Sequence, residues 1–256
     1  MKEHFAIFGK RKINPLQYKL LGNGFFISNF GLFISAGHVF NNHLSDTLEF
    51  LIGFPEDSES FELIKIKQYY FASKKLYLDD ERNNNTERVR KYFQCGPEYT
   101  DFAVGIVEIK NTPYYKLKRK RPYERENLNM PCYNINISRC PNRVFELDNS
   151  VCRCTNITFN QPILRIEERL KHARMPFLYE NMVFENIDKY NNCMEVRGEG
   201  EKGNSGAPIL DDNGNVIGIF VAGTTFNDLK AVHLSRYIIK RSKHFIKKLR
   251  NISQEN

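Results

Sequence analysis

The 256-residue chain has no long hydrophobic run. Its longest apolar stretch, Val216–Gly223, has eight residues, whereas a membrane-spanning helix needs about 18–20. A helical membrane span is therefore excluded. No export leader is expected either. After Met1-Lys2-Glu3-His4 only Phe5-Ala6-Ile7-Phe8-Gly9 precede Lys10-Arg11-Lys12, and a secretory signal needs roughly 7–15 apolar residues. The expectation is a protein of the cytoplasm, or of the host-cell interior if a virus encodes it. No repeat stands out, and no glycine-rich loop has the strand–loop–helix context that phosphate binding requires. Without an oxidising compartment, the six cysteines (95, 132, 140, 152, 154 and 193) read as thiols rather than a disulfide framework. Cys152-Arg153-Cys154 resembles half of a zinc site, but the spacing to Cys132, Cys140 and Cys193 matches no regular ligand pair. Neither a metal nor another cofactor is expected.

Core-forming residues, by contrast, are plentiful. Hydrophobic residues make up 41% of the chain and aromatics 13%, which excludes a disordered polymer. The length allows one large domain or two small ones. Lys and Arg outnumber Asp and Glu by 38 to 30, giving a net charge of +8. That balance permits contact with an acidic surface without demanding it. The basic run Lys116-Leu117-Lys118-Arg119-Lys120-Arg121-Pro122 reads as a solvated linker rather than a phosphate-binding patch. Nucleic acid is not the expected partner.

Short apolar runs separated by turn residues dominate the pattern. Gly22-Asn23-Gly24 leads into Phe25-Phe26-Ile27-Ser28, Asn29-Phe30-Gly31 supplies a turn, and Leu32-Phe33-Ile34-Ser35-Ala36 follows. Further strands are expected at 47–54, 61–70, 102–109, 149–159 and 216–222. Residues 73–100 are polar and read as a long surface loop. Residues 163–174 have a partly helical pattern. From 237 to 250 the apolar positions Ile238, Phe245, Ile246 and Leu249 fall on one helical stripe between lysines and arginines. That spacing predicts a terminal helix packed by its apolar side.

Three segments carry chemically capable residues: Ser35-Ala36-Gly37-His38-Val39, Thr100-Asp101-Phe102-Ala103-Val104 and Gly203-Asn204-Ser205-Gly206-Ala207-Pro208. Each alone has an ordinary structural explanation: a core histidine, a turn aspartate, a hairpin. Together, the order His, Asp, Ser with gaps of 63 and 104 residues resembles the trypsin-like serine proteases of the chymotrypsin fold. The lead-in Gly22-Asn23-Gly24-Phe25 and the strand Val216–Gly223 resemble that family too. Processing and intracellular-type members, bacterial or viral, look more similar than digestive trypsins. The resemblance implies an all-β protein of two six-stranded antiparallel barrels with a C-terminal helix. One barrel would span 1–120 and carry His38 and Asp101; the other would span 121–256 and carry Ser205.

It also implies roles. A serine hydroxyl is a weak nucleophile until a base removes its proton, and a neutral imidazole suits that task. His38 would be the base, Asp101 its orienting acid, and Ser205 the nucleophile. The N–H groups of Gly203 and Ser205 would form the oxyanion hole. Asn204 stands where digestive relatives carry an aspartate that pairs with a newly cut N-terminus, so activation by such a cut is not expected. A partner protein, loop ordering or substrate supply would regulate instead. Substrate-binding positions implied by the pattern are Glu199, Phe220, Val221, Ala222, Gly223 and His233. Glu199 would favour a basic substrate side chain. Phe220 replaces the histidine used by glutamyl-specific relatives, and His233 is the other candidate for reading Glu or Gln. The 221–223 backbone would pair with an extended peptide as an added strand. The expected function is endoproteolysis of selected proteins; a catalytically silent binding or scaffold module of the same fold is the alternative.

Overall fold

The computed structural model describes residues 3–41, 43–55, 60–73, 101–118, 127–135, 144–148, 151–153, 157–161, 163–165, 193–198, 203–223 and 229–254. The expected loop at 73–100 lies almost wholly outside the described residues, as does most of the helical pattern at 163–174.

Sixteen strands and two helices make up the described elements. β1 (His4–Arg11), β2 (Gln17–Phe26), β3 (Leu32–Ser35), β4 (Thr47–Pro55), β5 (Ser60–Ser73) and β6 (Asp101–Val107) form antiparallel pairs. They belong to an eight-stranded sheet, which the pairings β1–β2 and β5–β6 fold back on itself. The apolar residues of β1 divide by strand periodicity. Phe5 and Ile7 enter the large core with Phe25, Phe33 and Val104. Ala6 and Phe8 point the other way, to Leu20, Phe61 and Tyr133. With both faces covered, the strand reads as a continuous apolar run rather than an alternating one.

This sheet holds two strands beyond the expected six. The two additional strands are β9 (Val144–Asp148) and β10 (Val151–Arg153). They form a hairpin in which β9 pairs with β2 and β10 with β5. Residues beyond 120 thus contribute to the first sheet. The physical reason is that β2 and β5 leave backbone donors and acceptors open along part of their length, and the hairpin satisfies them.

The second sheet is a closed six-stranded barrel in the order β12-β13-β16-β15-β14-β7. Its strands are β7 (Asn127–Asn129), β12 (Ile163–Arg165), β13 (Cys193–Gly198), β14 (Pro208–Leu210), β15 (Val216–Gly223) and β16 (Leu229–Leu234). Leu128, Met130, Val196, Ile209, Ile217 and Phe220 pack in its core. Residues 163–165, read from sequence as the start of a helical pattern, are strand β12; pairing with β7 and β13 overrides local propensity. The single expected strand over 149–159 is divided into β10 and β11 (Ile157–Asn160), which pairs with β8 (Cys132–Ile135).

Residues 116–118 are not merely a solvated connection. Lys116 and Lys118 exchange backbone hydrogen bonds with Val216 at 2.9 and 2.8 Å, and the Lys118 ammonium is paired with buried Asp211. Burial pushes the Asp211 carboxyl up. The Lys118 hydrogen bond and the N–H groups of Asn213 and Asn215 outweigh burial and hold it below the usual carboxylate range.

The terminal helix α2 (Ser235–Gln254) extends a little beyond the expected 237–250. Ile238 and Leu249 are buried in the large core, with Phe245 and Ile246 against it. The Phe245 ring stacks on Tyr70 at 4.9 Å. The core that receives the helix also includes Val216, Ile219 and Val221 of the second barrel and Phe33 of the first sheet. Helix and both sheets therefore share one apolar interior. Among the described residues no helix is long and apolar enough to cross a membrane.

Candidate active site

The register of the first sheet places an imidazole beside a carboxylate. β3 and β6 are antiparallel with Ser35 opposite Ala103, so the residues just after β3 lie next to those that open β6. The chain turns there into the short helix α1 (Gly37–Asn41), which begins His38 rather than leaving it on a strand end. Asp101, fully buried, accepts two hydrogen bonds from His38. Its Oδ2 lies 2.8 Å from Nδ1 of the ring, and its Oδ1 accepts the His38 backbone N–H at 2.8 Å. Two-point attachment fixes both ring position and tautomer. With the carboxylate accepting at Nδ1–H, the ring nitrogen left to act as a base is Nε2.

Ser205 sits in a turn between Gly203 (φ +113°) and Gly206 (φ +89°). The turn is tied to β15 by Gly206 N–H to the Phe220 carbonyl at 2.8 Å and Phe220 N–H to the Ala207 carbonyl at 3.0 Å. It also packs on the hairpin that leads to His38. The Ser205 carbonyl accepts the Asn23 N–H at 2.7 Å. A Cβ added at Gly206 would overlap the Asn23 carbonyl oxygen and the Ser35 hydroxyl. A Cβ added at Gly22 would stand 2.6 Å from the Ser205 carbonyl oxygen and 2.7 Å from Val39, the neighbour of His38. The serine turn thus lies against the segment that carries the histidine. Among the described residues the N–H groups of Gly203 and Ser205 have no acceptor, and the Ser205 hydroxyl makes no hydrogen bond.

Of the other expected positions, Phe220 and Val221 are buried at 3% and 1% exposure. Phe220 packs in the barrel core, and both its backbone groups are engaged by the serine turn. Ala222 and Gly223 complete β15 opposite Ala231 and Lys230, and His233 lies on β16 opposite Ile219 and Cys193. Glu199 lies outside the described residues, as do Cys95, Cys140 and Cys154. Cys132 is buried and its thiol donates to Asn134 Oδ1 at 3.6 Å.

The sequence reading passed over three polar residues that hold the serine turn. Asn23 is buried on β2, and its side-chain amide bonds Gly203 at 2.8 Å and both backbone groups of Tyr133. Asn134 accepts a hydrogen bond from the side chain of Asn204. Ser35 donates to the Asn23 carbonyl at 2.7 Å. The available signal is Asn23 itself, an amide between two glycines in the otherwise apolar run Leu20–Phe26.

A closed antiparallel barrel beside a second curled sheet is the architecture of trypsin-like serine proteases, and the chain has that fold. Its solved neighbours include the Rv3671c protease from M. tuberculosis in its active form, at 12% identity and TM-score 0.53 over 94% of this chain and 79% of that one. The HtrA-type protease AlgW matches at 12% identity and TM-score 0.54 over 96% of this chain and 65% of that one. A serine endoprotease from Yersinia pestis matches at 13% identity and TM-score 0.52 over 97% and 63%. No protein-family model and no curated protein matches the chain in sequence.

Proposed function

We propose that the protein is a serine endopeptidase that hydrolyses peptide bonds in selected proteins through an acyl-enzyme on Ser205. The observation that carries this reading is the two-point bond between His38 and buried Asp101, at 2.8 Å for each contact, beside a serine turn with two amides that lack acceptors. In the first half-reaction His38 Nε2 takes the Ser205 proton as Oγ attacks the carbonyl carbon. The carbonyl oxygen becomes an oxyanion facing the Gly203 and Ser205 N–H groups. His38 then gives the proton to the departing amine, leaving an ester on Ser205. Water, deprotonated by the same nitrogen, attacks that ester and restores the hydroxyl. Asp101 stays ionised throughout and stabilises the imidazolium. The chemistry uses no cofactor.

A protein or peptide substrate fits the fold, and one solved neighbour, the HtrA-type protease, was determined with a decapeptide. The backbone of 221–223 is the proposed strand-pairing edge, with Glu199 and His233 as proposed specificity residues. We place the protein in the cytoplasm, with a separate protein as its regulator and the boundary between its two units near residue 120, across which the β9–β10 hairpin returns to the first sheet. The alternative is a catalytically silent binding or scaffold module of the same fold. Incubation with a proteome-derived peptide library separates the two. Cleavage by the wild type that vanishes in Ser205→Ala supports the endopeptidase, and the residue preceding each cut tests Glu199 and His233. No cleavage by either protein overturns the enzymatic reading.

A further inference from the structure

The hydrogen bonds around the serine turn converge on one residue, Asn23. Every polar group of this buried asparagine has a partner. Its N–H donates to the Ser205 carbonyl at 2.7 Å, and its carbonyl accepts the Ser35 hydroxyl at 2.7 Å. Its side-chain Oδ1 accepts the Tyr133 N–H at 2.7 Å. The two hydrogens of Nδ2 go to the Gly203 carbonyl at 2.8 Å and the Tyr133 carbonyl at 3.1 Å. One acceptor and two donors on a short planar group is what this position requires, and among side chains of that length only asparagine supplies it.

The carbonyls of the turn are all held, two of the three by Asn23. Gly203 and Ser205 are bound by Asn23, and Asn204 accepts the Ala207 N–H at 3.0 Å. In a planar trans peptide the C=O and the following N–H point in opposite directions. Holding the Asn204 carbonyl therefore aims the Ser205 N–H away from it. Gly203, at φ +113°, is where the turn has most freedom to swing, and the Asn23 bond to its carbonyl removes that freedom. The anchor is itself rigid. Tyr133 is 1% exposed, with its ring 5.8 Å from Phe61 and 5.7 Å from Phe159. A second neutral contact, from the Asn204 side chain to Asn134, also holds the turn.

We propose that Asn23 is a positioning residue that keeps the amides of Gly203 and Ser205 assembled as a standing oxyanion site in the folded chain. This rests on the endopeptidase reading for its catalytic consequence, but not for the order of the turn. The latch consists of neutral amides, so it holds the turn without an ion pair and has no group of its own that titrates between acid and alkaline pH.

The test compares full-length wild type with Asn23→Ala and Asn23→Asp. The aspartate is isosteric and keeps the acceptor for Tyr133 while losing both donors, so it carries the test if the alanine variant fails to fold. Two readouts are needed. In the folded variants kcat on a peptide substrate is expected to fall roughly 10- to 100-fold, a partial loss of oxyanion stabilisation, with KM within about twofold. Amide hydrogen exchange at Gly206 and Ala207, measured well below the melting temperature, is expected to accelerate by at least about tenfold as local opening becomes easier. Unchanged exchange, or faster exchange with unchanged kcat, overturns the proposal. If the wild type cleaves nothing, the endopeptidase reading fails by itself, and exchange alone decides whether Asn23 holds the turn.

Discussion

Replacing Asp101 by asparagine makes the sharpest use of the observed geometry. Asp101 has two acceptor oxygens and both are engaged, one by the His38 backbone N–H and one at ring Nδ1, each at 2.8 Å. An asparagine keeps only one acceptor. The buried His38 N–H claims it, because an unsatisfied buried donor costs about 1–3 kcal/mol. The new NH₂ group then faces Nδ1, which must accept rather than donate. The ring proton moves to Nε2, the nitrogen that has to take the proton from Ser205. The base is lost although no atom has moved far. The expected loss in kcat is about 10⁴-fold, or roughly 5 kcal/mol in the barrier. The melting temperature changes little, since both hydrogen-bond positions stay occupied. Turnover of a cleaved library peptide at neutral pH, alongside a thermal melt, measures both quantities. A variant that retains more than a tenth of wild-type kcat would refute the assignment of Asp101 as the orienting acid.

Further predictions concern the site and its support. Ser205→Ala and His38→Ala each reduce turnover by several orders of magnitude, and the double variant is little worse than either, because the groups act as a unit; single-turnover assays showing additive losses would contradict this. Gly22→Ala forces a methyl to within 2.6 Å of the Ser205 carbonyl oxygen and 2.7 Å of Val39. It is expected to cost about 1–3 kcal/mol in denaturant unfolding and to lower activity with it. Lys118→Met removes the cationic partner of buried Asp211 and should cost about 1–2 kcal/mol at neutral pH. The Asp211 pKa is lowered in the fold. The stability it contributes is therefore present above its unfolded pKa of about 4 and is lost as pH falls through the lower folded value. Urea melts should show the gap between wild type and Lys118→Met narrowing in acid; a gap that widens there would be the wrong sign.

How much of this was legible in the sequence depends on the range over which each feature is specified. Turn residues bound the apolar runs of β2 to β6, and the stripe of Ile238, Phe245, Ile246 and Leu249 has helical spacing, so these strands and the terminal helix are legible locally; β1, buried on both faces, shows no alternation to mark it. The Gly-Asn-Ser-Gly turn could be read because glycine alone tolerates the close approach at 206. The β9–β10 hairpin could not be read, since strands of five and three residues show no period and their partners lie in a remote part of the chain. Strand β12 was misassigned for the same reason: pairing to β7 and β13 decides its conformation. Lys118 appeared as one charge in a basic run because its partner, Asp211, lies 93 positions away. Asn23 stands in the lead-in motif, but nothing local to it shows that its amide spans to Tyr133 and Gly203.

The most direct measurement is covalent labelling with a fluorophosphonate probe, read by peptide mass spectrometry on wild type, Ser205→Ala and His38→Ala. Such a probe reports an activated serine hydroxyl rather than a merely exposed one. The account predicts one adduct, on Ser205 of the wild type, absent from Ser205→Ala and strongly reduced in His38→Ala. A wild-type protein that acquires no adduct, or acquires one at another serine that persists in both variants, would contradict it.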